Sequence, residues 1–259
     1  MKEAIQLNLF TVEELSALAT TPIDADTQRK EWRKRKLRLG IMRVDLSRNL
    51  EKDGNGYPIV KPYYGIPDAP LINFKEALAT ENHNHWVHFF IDDCLLEQIW
   101  IPQYTERDLE ILSRFKGTFT PDFTLAPQLE LCQQQFNVFR NRAIGQLLQK
   151  RGQRVIPTVG WSCRNSFDFC FLGLSQGGTV AISTNGVLRK FVSHRLFLEG
   201  VFEMERQLHP DNIVIVGQKM ELRTKASQLW YPNEQIMRLR GLHRNGIDKF
   251  QAIQPAKQS

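Results

Sequence analysis

The chain has 259 residues, of which 42% are hydrophobic and 24% charged, and its formal net charge is +6. This length is enough to bury one sizeable core. The sequence contains no run of about 20 apolar residues that would span a membrane, and residues 1–10 lack the apolar stretch of a signal peptide. The four cysteines show no CxxC spacing. These features predict a cytoplasmic protein with reduced thiols and no membrane partner.

A strongly basic segment follows a short predicted helix at residues 11–19. Asp26 as an N-cap and Gly40 just beyond the end predict a basic helix between them. Only Glu31 opposes its seven cations, which are Arg29, Lys30, Arg33, Lys34, Arg35, Lys36 and Arg38. Clustered cations suit the phosphates of a nucleic acid. The alternative is a solvated helix face that only keeps the protein soluble.

The middle of the chain alternates short apolar runs with stretches long enough for helices, after a Pro/Gly-rich connection at residues 53–70 and a short predicted helix at 73–80. The predicted strands are residues 87–91, 117–120, 154–159, 178–183 and 212–216. The predicted helices are residues 95–115, 127–151 and 191–208, with an irregular aromatic segment at 163–174. This rhythm predicts an α/β fold with a mostly parallel sheet and flanking helices. It fits either an incomplete TIM-like barrel or an open doubly wound sheet.

Three regions follow from this pattern. Residues 1–70 form an N-terminal basic helical region with its Pro/Gly-rich connection, residues 71–220 form the α/β body, and residues 221–259 form a basic C-terminal tail. The cations of the tail that we predict to contact nucleic acid are Arg238, Arg240 and Arg244.

Two carboxylates, Asp93 and Asp122, follow successive predicted strands. The carboxyl ends of parallel strands share one edge of a sheet, which is where such folds bind ligands. Paired carboxylates can divide acid and base roles or hold a cation such as Mg²⁺. The alternative is that both cap helices or form ion pairs. His83, His85 and His88 are also close in sequence, but His85 and His88 would point to different sides of an extended chain, so no metal site is predicted there.

Three further residues complete the predicted site. Arg140 and Arg142 lie on different faces of a long helix, and we expect at least one to pair with a carboxylate inside the α/β body, for which Asp93 or Asp122 is the natural candidate. Trp161 ends the third strand, where its ring could stack on a nucleobase. Ser183 ends the fourth strand, but it has no GxSxG context. The predicted catalytic residues are therefore Asp93, Asp122, Arg142 and Ser183, with Trp161 as a nucleic-acid contact.

Several segments together are similar to a known family. They are Phe90-Ile91-Asp92-Asp93, Gly117 with Pro121-Asp122-Phe123, Arg140-Asn141-Arg142, Val155-Ile156-Pro157-Thr158-Val159 with Trp161, Ser166-Phe167-Asp168-Phe169-Cys170-Phe171 and Val180-Ala181-Ile182-Ser183-Thr184. They resemble an uncharacterised domain-of-unknown-function family found in prophages, plasmids and integrative conjugative elements, over about residues 87–217. The resemblance implies a phage or mobile-element context and brings no established reaction. Cys163-Arg164-Asn165 stands where the family usually has an acidic loop.

Three functional hypotheses remain. The first is a nucleic-acid-binding protein of a phage or mobile element, accessory to replication, transfer or defence and anti-defence. The second is a hydrolase that acts on nucleic acid or a nucleotide through the strand-end residues, with Mg²⁺ as its cofactor. The third is a protein-binding inhibitor without catalysis. The sequence defines neither the substrate nor the oligomeric state.

Overall fold

The computed structural model describes residues 42–185, 187 and 191–232. The basic helix predicted around residues 29–38 and the tail cations Arg238, Arg240 and Arg244 lie outside these residues. The chain divides into two units, residues 1–45 and 46–259. The second unit carries the fold described below.

Seven short strands and six α-helices follow one another along the described residues. The strands are β1 (Leu71–Asn73), β2 (Trp86–His88), β3 (Gly117–Phe119), β4 (Val155–Ile156), β5 (Thr179–Ser183), β6 (Asn212–Val216) and β7 (Ser227–Tyr231). The helices are α1 (Val44–Ser47), α2 (Phe74–Ala77), α3 (Asp93–Trp100), α4 (Pro102–Leu112), α5 (Leu131–Lys150) and α6 (Phe191–Leu208), with a 3₁₀ helix at Arg164–Asp168.

All strand pairs are parallel, and the strands lie side by side in chain order. One sheet has the order β1-β2-β3-β4 and the other β5-β6-β7. A parallel bridge between Thr158 and Ala181 joins the two sheets. Its bonds run from Val159 N to Ala181 O and from Ala181 N to Pro157 O, each 2.8 Å. The predicted α/β class with a mostly parallel sheet is confirmed.

Side chains from all seven strands meet on one side of the sheets. The buried members of this cluster include Trp86, Phe119, Ile156, Ala181, Val214 and Leu229, and Leu71 packs against them. Strand residues that point to the other side of the sheets, such as Val87 and Ile213, pack against apolar residues of the helices. A sheet whose one face closes on a single cluster is curled like a barrel wall. The strand order never reverses, unlike that of a doubly wound sheet. We therefore describe the body as an incomplete barrel, because β1 and β7 do not pair with each other within the described residues.

The predicted elements differ from the structure in three places. The predicted helix 95–115 is two helices, because Pro102 begins α4 and its ring cannot continue the preceding helix. The predicted helix 73–80 is only α2, with the side chain of Asn73 accepting a bond from Glu76 N at its start. Strands β1 and β7 were not predicted, and β7 falls within the predicted basic tail.

A strap at residues 51–66, which contains no helix or named strand, ties distant elements together. The side-chain amide of Gln149 bonds both Lys61 N (2.9 Å) and Lys61 O (2.8 Å), and Gln146 bonds Glu51 in the same way. On the other side, Thr179 N donates to Tyr63 O at 2.8 Å. The strap therefore connects α5 to the first strand of the second sheet.

Candidate functional site at the carboxyl ends of the strands

Asp122 lies just beyond β3, on a stretch of backbone that hydrogen bonds hold on both sides. Thr158 N donates to Thr120 Oγ1 (2.8 Å), and Thr158 Oγ1 donates to Thr120 O (2.9 Å). Phe123 N donates to the side-chain oxygen of Asn141 (3.0 Å). Because its neighbours are fixed, Asp122 is presented at the rim formed by the carboxyl ends of β3 and β4.

The carboxylate of Asp122 is half-buried and makes no hydrogen bond with the described residues. A Cβ added at Gly160 would lie 3.5 Å from its Oδ1, so glycine at that position leaves space beside the carboxylate. The pKa of Asp122 is raised to about 7, mainly by burial and also by the charge of Asp93, while the charge of Arg142 opposes both. Near neutral pH this group can therefore donate or accept a proton.

Asp93 lies close enough to affect Asp122 electrostatically, but its oxygens are already engaged. They accept bonds from Thr124 N (3.0 and 3.2 Å) and from Thr124 Oγ1 (2.9 Å). Asp93 therefore fixes the loop that follows Asp122 and supplies a negative charge beside it. The two carboxylates that the sequence placed at one edge are brought together, but in different roles.

Arg142 is fully buried and bonds only backbone. Its guanidinium donates to three carbonyl oxygens, those of Leu172 (3.0 Å), Thr158 (2.9 Å) and Cys170 (2.7 Å). Burial lowers the pKa of Arg142 to about 10. The expected pairing of an arginine with Asp93 or Asp122 is wrong, because Arg142 instead holds together the ends of β4 and the aromatic segment.

Arg140 pairs with a carboxylate of the α/β body, as expected, but this carboxylate is Glu97 and not Asp93 or Asp122. Its Nη1 lies 2.7 Å from Glu97 Oε2, and its guanidinium carbon lies 3.7 Å from the ring centre of Phe123. Its Nε is buried and has no hydrogen-bond partner. Arg140 therefore packs against Phe123, the residue after Asp122, and makes no hydrogen bond to the carboxylate of Asp122.

Trp161 follows β4, but its ring is packed against a helix. A Cβ added at Gly200 in α6 would lie 2.1 Å from the ring, and the rings of Phe197 and Phe171 are centred 5.5 and 6.4 Å away. Trp161 is half-buried in this cluster. Its contact with nucleic acid stays a prediction.

Ser183 ends β5, and its hydroxyl bonds the neighbouring strand end. It donates to Val216 O (3.1 Å) and accepts from Asn185 N (3.1 Å). Thr184 Oγ1 similarly donates to Gln218 O (3.0 Å). These bonds hold the rim of the second sheet together, and no acid or base among the described residues bonds Ser183.

His88 belongs to the same end of the sheet, and no role beyond the histidine cluster was predicted for it. It is buried at the end of β2, accepts a bond from Phe90 N at Nδ1 (3.3 Å) and stacks on the Phe90 ring. Burial lowers the pKa of His88 to about 4. Its place at a strand end was the available signal.

The part of the chain that the structure describes contains neither a cluster of metal-ligating side chains nor a membrane-spanning helix. Within it, no group of three or more His, Cys, Asp or Glu side chains converges as a metal site. No helix among these residues is both long enough and apolar enough to cross a membrane. For Mg²⁺, the rim would offer Asp122 and the already bonded Asp93 as carboxylate ligands.

The fold and the rim together define an incomplete parallel α/β barrel with a titratable carboxyl group at its carboxyl-terminal edge. The chain belongs to the family described as Domain of unknown function (DUF4417), whose model matches residues 55–231. That match begins within the strap and ends at the last residue of β7.

Two curated relatives come from bacteriophages. The Gene 1 protein of Mycobacterium phage L5 is 37% identical over 166 residues, which are 60% of this chain and 72% of the relative. The Gene 1 protein of Mycobacterium phage D29 is 35% identical over 165 residues, which are 60% of each chain. The match thus spans less than two thirds of the D29 protein. No solved structure matches. The predicted resemblance to an uncharacterised phage-associated family is confirmed.

Proposed function

We propose that this protein binds nucleic acid in a phage or mobile-element context, as an accessory to replication, transfer or defence and anti-defence. The observation that carries the proposal is the uneven charge. Residues 42–232 contain 21 Lys and Arg against 20 Asp and Glu, so most of the excess of +6 comes from the terminal segments. These are the segments in which the sequence clusters its cations, and a phosphate backbone is the partner that clustered cations suit.

The test is the binding of full-length protein to DNA and RNA across a salt series. Replacing Arg33, Lys34, Arg35 and Lys36 by Ala should weaken binding by a similar factor for every sequence. If all four contact duplex phosphates, the slope of log affinity against log salt should fall by about 3.6. The matched control replaces Arg107, Arg114, Lys116 and Arg151 by Ala, which removes the same charge from the body. Equal losses from both variants would contradict a role specific to the basic segment, and no retention of nucleic acid at low salt would overturn the proposal.

The second candidate function is hydrolysis of a nucleic acid or nucleotide at the rim. A specific observation supports it: Asp122 is a carboxyl group without a hydrogen-bond partner in the described residues, and its pKa is about 7. At neutral pH such a group can take a proton from a water or give one to a leaving oxygen. Asp93 would keep this proton in place by its negative charge.

This candidate is tested by incubating the protein with labelled DNA, RNA and nucleotides, with and without Mg²⁺. Asp122→Asn keeps the size of the side chain but removes its titration, and we expect a loss of turnover of about a hundredfold or more. Thr124→Val removes one bond to Asp93 without touching Asp122 and serves as the control. If Asp122→Asn leaves turnover unchanged, the catalytic role of Asp122 is refuted.

A further inference from the structure

The outer face of α6 presents an apolar stripe bordered by arginines. The helix buries Phe197, Val201 and Met204 in the apolar cluster that also contains residues of β5 and β6. On the opposite side, residues spaced by three or four positions form one exposed stripe. We call this the α6 outer stripe; its members are Arg195, Leu198, Phe202 and Arg206.

Phe202 is the unusual member of this stripe. Its exposed fraction is 68%, and Leu198, one turn before it, is 38% exposed. A helix that covers a parallel sheet usually has a polar outer face. An exposed aromatic ring on a rigid helix offers a flat face to which another planar group can bind.

Arg206 is paired with Glu203, but the two other arginines of this surface share one carboxylate. Arg164 of the 3₁₀ helix bonds Glu199 through Nε and Nη2, both at 2.8 Å, and Arg195 bonds the same carboxylate through Nε at 3.1 Å. One carboxylate therefore serves two guanidinium groups, whose exposed fractions are 69% and 70%. Their remaining Nη donors bond nothing in the described part of the chain, so they are available to an anion.

We propose that the α6 outer stripe, together with Arg164, binds single-stranded nucleic acid, with a base stacked on Phe202 and phosphates bound by Arg164 and Arg195. This inference rests on the proposed nucleic-acid binding and adds a second contact surface, on the body of the protein. Bases of a single strand expose their faces to aromatic side chains, whereas those of a duplex are stacked on each other. Because Arg164 and Arg195 share the single carboxylate of Glu199, one positive charge is in excess at that end of the stripe, and it favours an anionic partner over an uncharged apolar one.

The experiment measures binding of the full-length protein to a labelled single-stranded oligonucleotide of roughly 16 nucleotides, the upper site size of a single binding module, and to its duplex. Phe202→Ala should weaken single-strand binding by about tenfold and leave duplex binding unchanged. Phe202→Trp keeps a stacking ring and should retain the affinity. Tyr64→Ala removes another exposed aromatic ring, 69% exposed, and should change nothing.

A second variant tests the phosphate contacts. Arg164→Gln with Arg195→Gln should weaken single-strand binding at low salt and lower the salt slope by about 1.4, the value for two lost contacts. If Phe202→Ala keeps single-strand affinity within about twofold, the stripe is not a binding surface for nucleic acid. If the wild-type protein binds and only the variant at residues 33–36 loses affinity, this inference fails while the proposed function stands. If the wild-type protein retains no nucleic acid, both fail. If Phe202→Ala changes only self-association, the stripe is an interface between copies, which also overturns the inference.

Discussion

At the scale of single residues, Asp122 makes stability depend on pH. Its pKa is about 7 in the folded protein and 3.8 in an unperturbed chain. Between these values the unfolded chain has released the proton while the folded chain still holds it, so stability falls as pH rises through this range. The contribution is about 1.4 kcal/mol per pH unit where the slope is steepest.

Asp122→Asn should abolish this contribution, so the variant should gain stability relative to wild type as pH rises from 4 to 7. The measurement is urea unfolding at several pH values across this range. Glu221→Gln, which changes a carboxylate that is 85% exposed, is the control and should follow the wild-type curve. Parallel curves for wild type and Asp122→Asn would contradict the raised pKa.

His88 affects the pH dependence of stability in the opposite direction. Its pKa is about 4 in the folded protein and 6.5 in an unperturbed chain. Its contribution to stability is present above pH 6.5 and is lost as pH falls toward 4, because the unfolded chain then binds a proton that the folded chain does not. In the Asp122→Asn background, adding His88→Gln should therefore reduce the loss of stability on acidification between pH 6.5 and 4. Urea unfolding of the single and double variants measures it, and an unchanged acid loss would contradict a neutral buried His88.

Arg142 should prove structural and intolerant of lysine. Lysine keeps the charge but cannot direct three donors to the carbonyls of Thr158, Cys170 and Leu172, which the planar guanidinium reaches together. Arg142→Lys should destabilise the protein by on the order of 3 kcal/mol, measured by chemical unfolding. Arg114→Lys, at an exposed pair with Glu110, is the control and should change stability by less than about 0.5 kcal/mol. Full stability of Arg142→Lys would show that these bonds contribute little.

At the scale of elements, α6 is held against the segment that follows β4 by the contact between Gly200 and Trp161. Alanine normally stabilises a helix by about 1 kcal/mol relative to glycine. Here a Cβ would overlap the indole ring, which Phe171 and Phe197 hold in place. Gly200→Ala should therefore be destabilising overall, since overpacking costs about 1–3 kcal/mol.

Thermal unfolding of Gly200→Ala tests this contact. Gly54→Ala, where an added Cβ meets no atom within 4 Å, is the control and should be nearly neutral. Replacing Trp161 by Leu should make alanine at position 200 tolerable. If Gly200→Ala is as stable as wild type, Trp161 does not pack tightly against Gly200.

The element pattern could be predicted only where apolar runs and helix signals were long enough. Strands β2 to β6 were located because each is a short apolar run followed by a helix or loop. Strand β1 has only two apolar residues, Leu71 and Ile72, directly after the proline-rich segment, so it does not stand out as an apolar run. Strand β7 contains the run Leu229-Trp230-Tyr231, a β-favouring signal that the neighbouring basic residues obscured.

The site was predictable in place but not in detail. Strand ends of a parallel sheet share an edge, so Asp93 and Asp122 could be brought together from sequence alone. The carbonyls that bind Arg142 come from residues 16 to 30 positions away, and no local pattern encodes them. The pKa of Asp122 depends on burial and on the charges of Asp93 and Arg142, which only the folded arrangement brings together.

At the scale of the whole molecule, the body requires residues beyond 220. Leu222 and Leu229 are buried, and Tyr231 O accepts a bond from Gly217 N. Removing this burial costs roughly 5 kcal/mol, which is comparable with the stability of an entire domain. A chain ending at residue 220 should therefore lose cooperative unfolding, whereas one ending at 232 should keep it. Hydrogen exchange of the β6 amides measures the difference, and equal protection in both chains would place the boundary of the body before β7.

The strap at residues 51–66 has a consequence for synthesis on the ribosome. Its partners lie far along the chain: Gln149 is 88 residues beyond Lys61, and Thr179 is 114 residues beyond Gly65. A chain made from its amino end exposes the strap long before α5 and β5 leave the exit tunnel. The strap is therefore made early but is among the last segments to reach its final contacts, and during that interval the backbone groups that later bond α5 and β5, such as those of Lys61 and Gly65, are bonded by water.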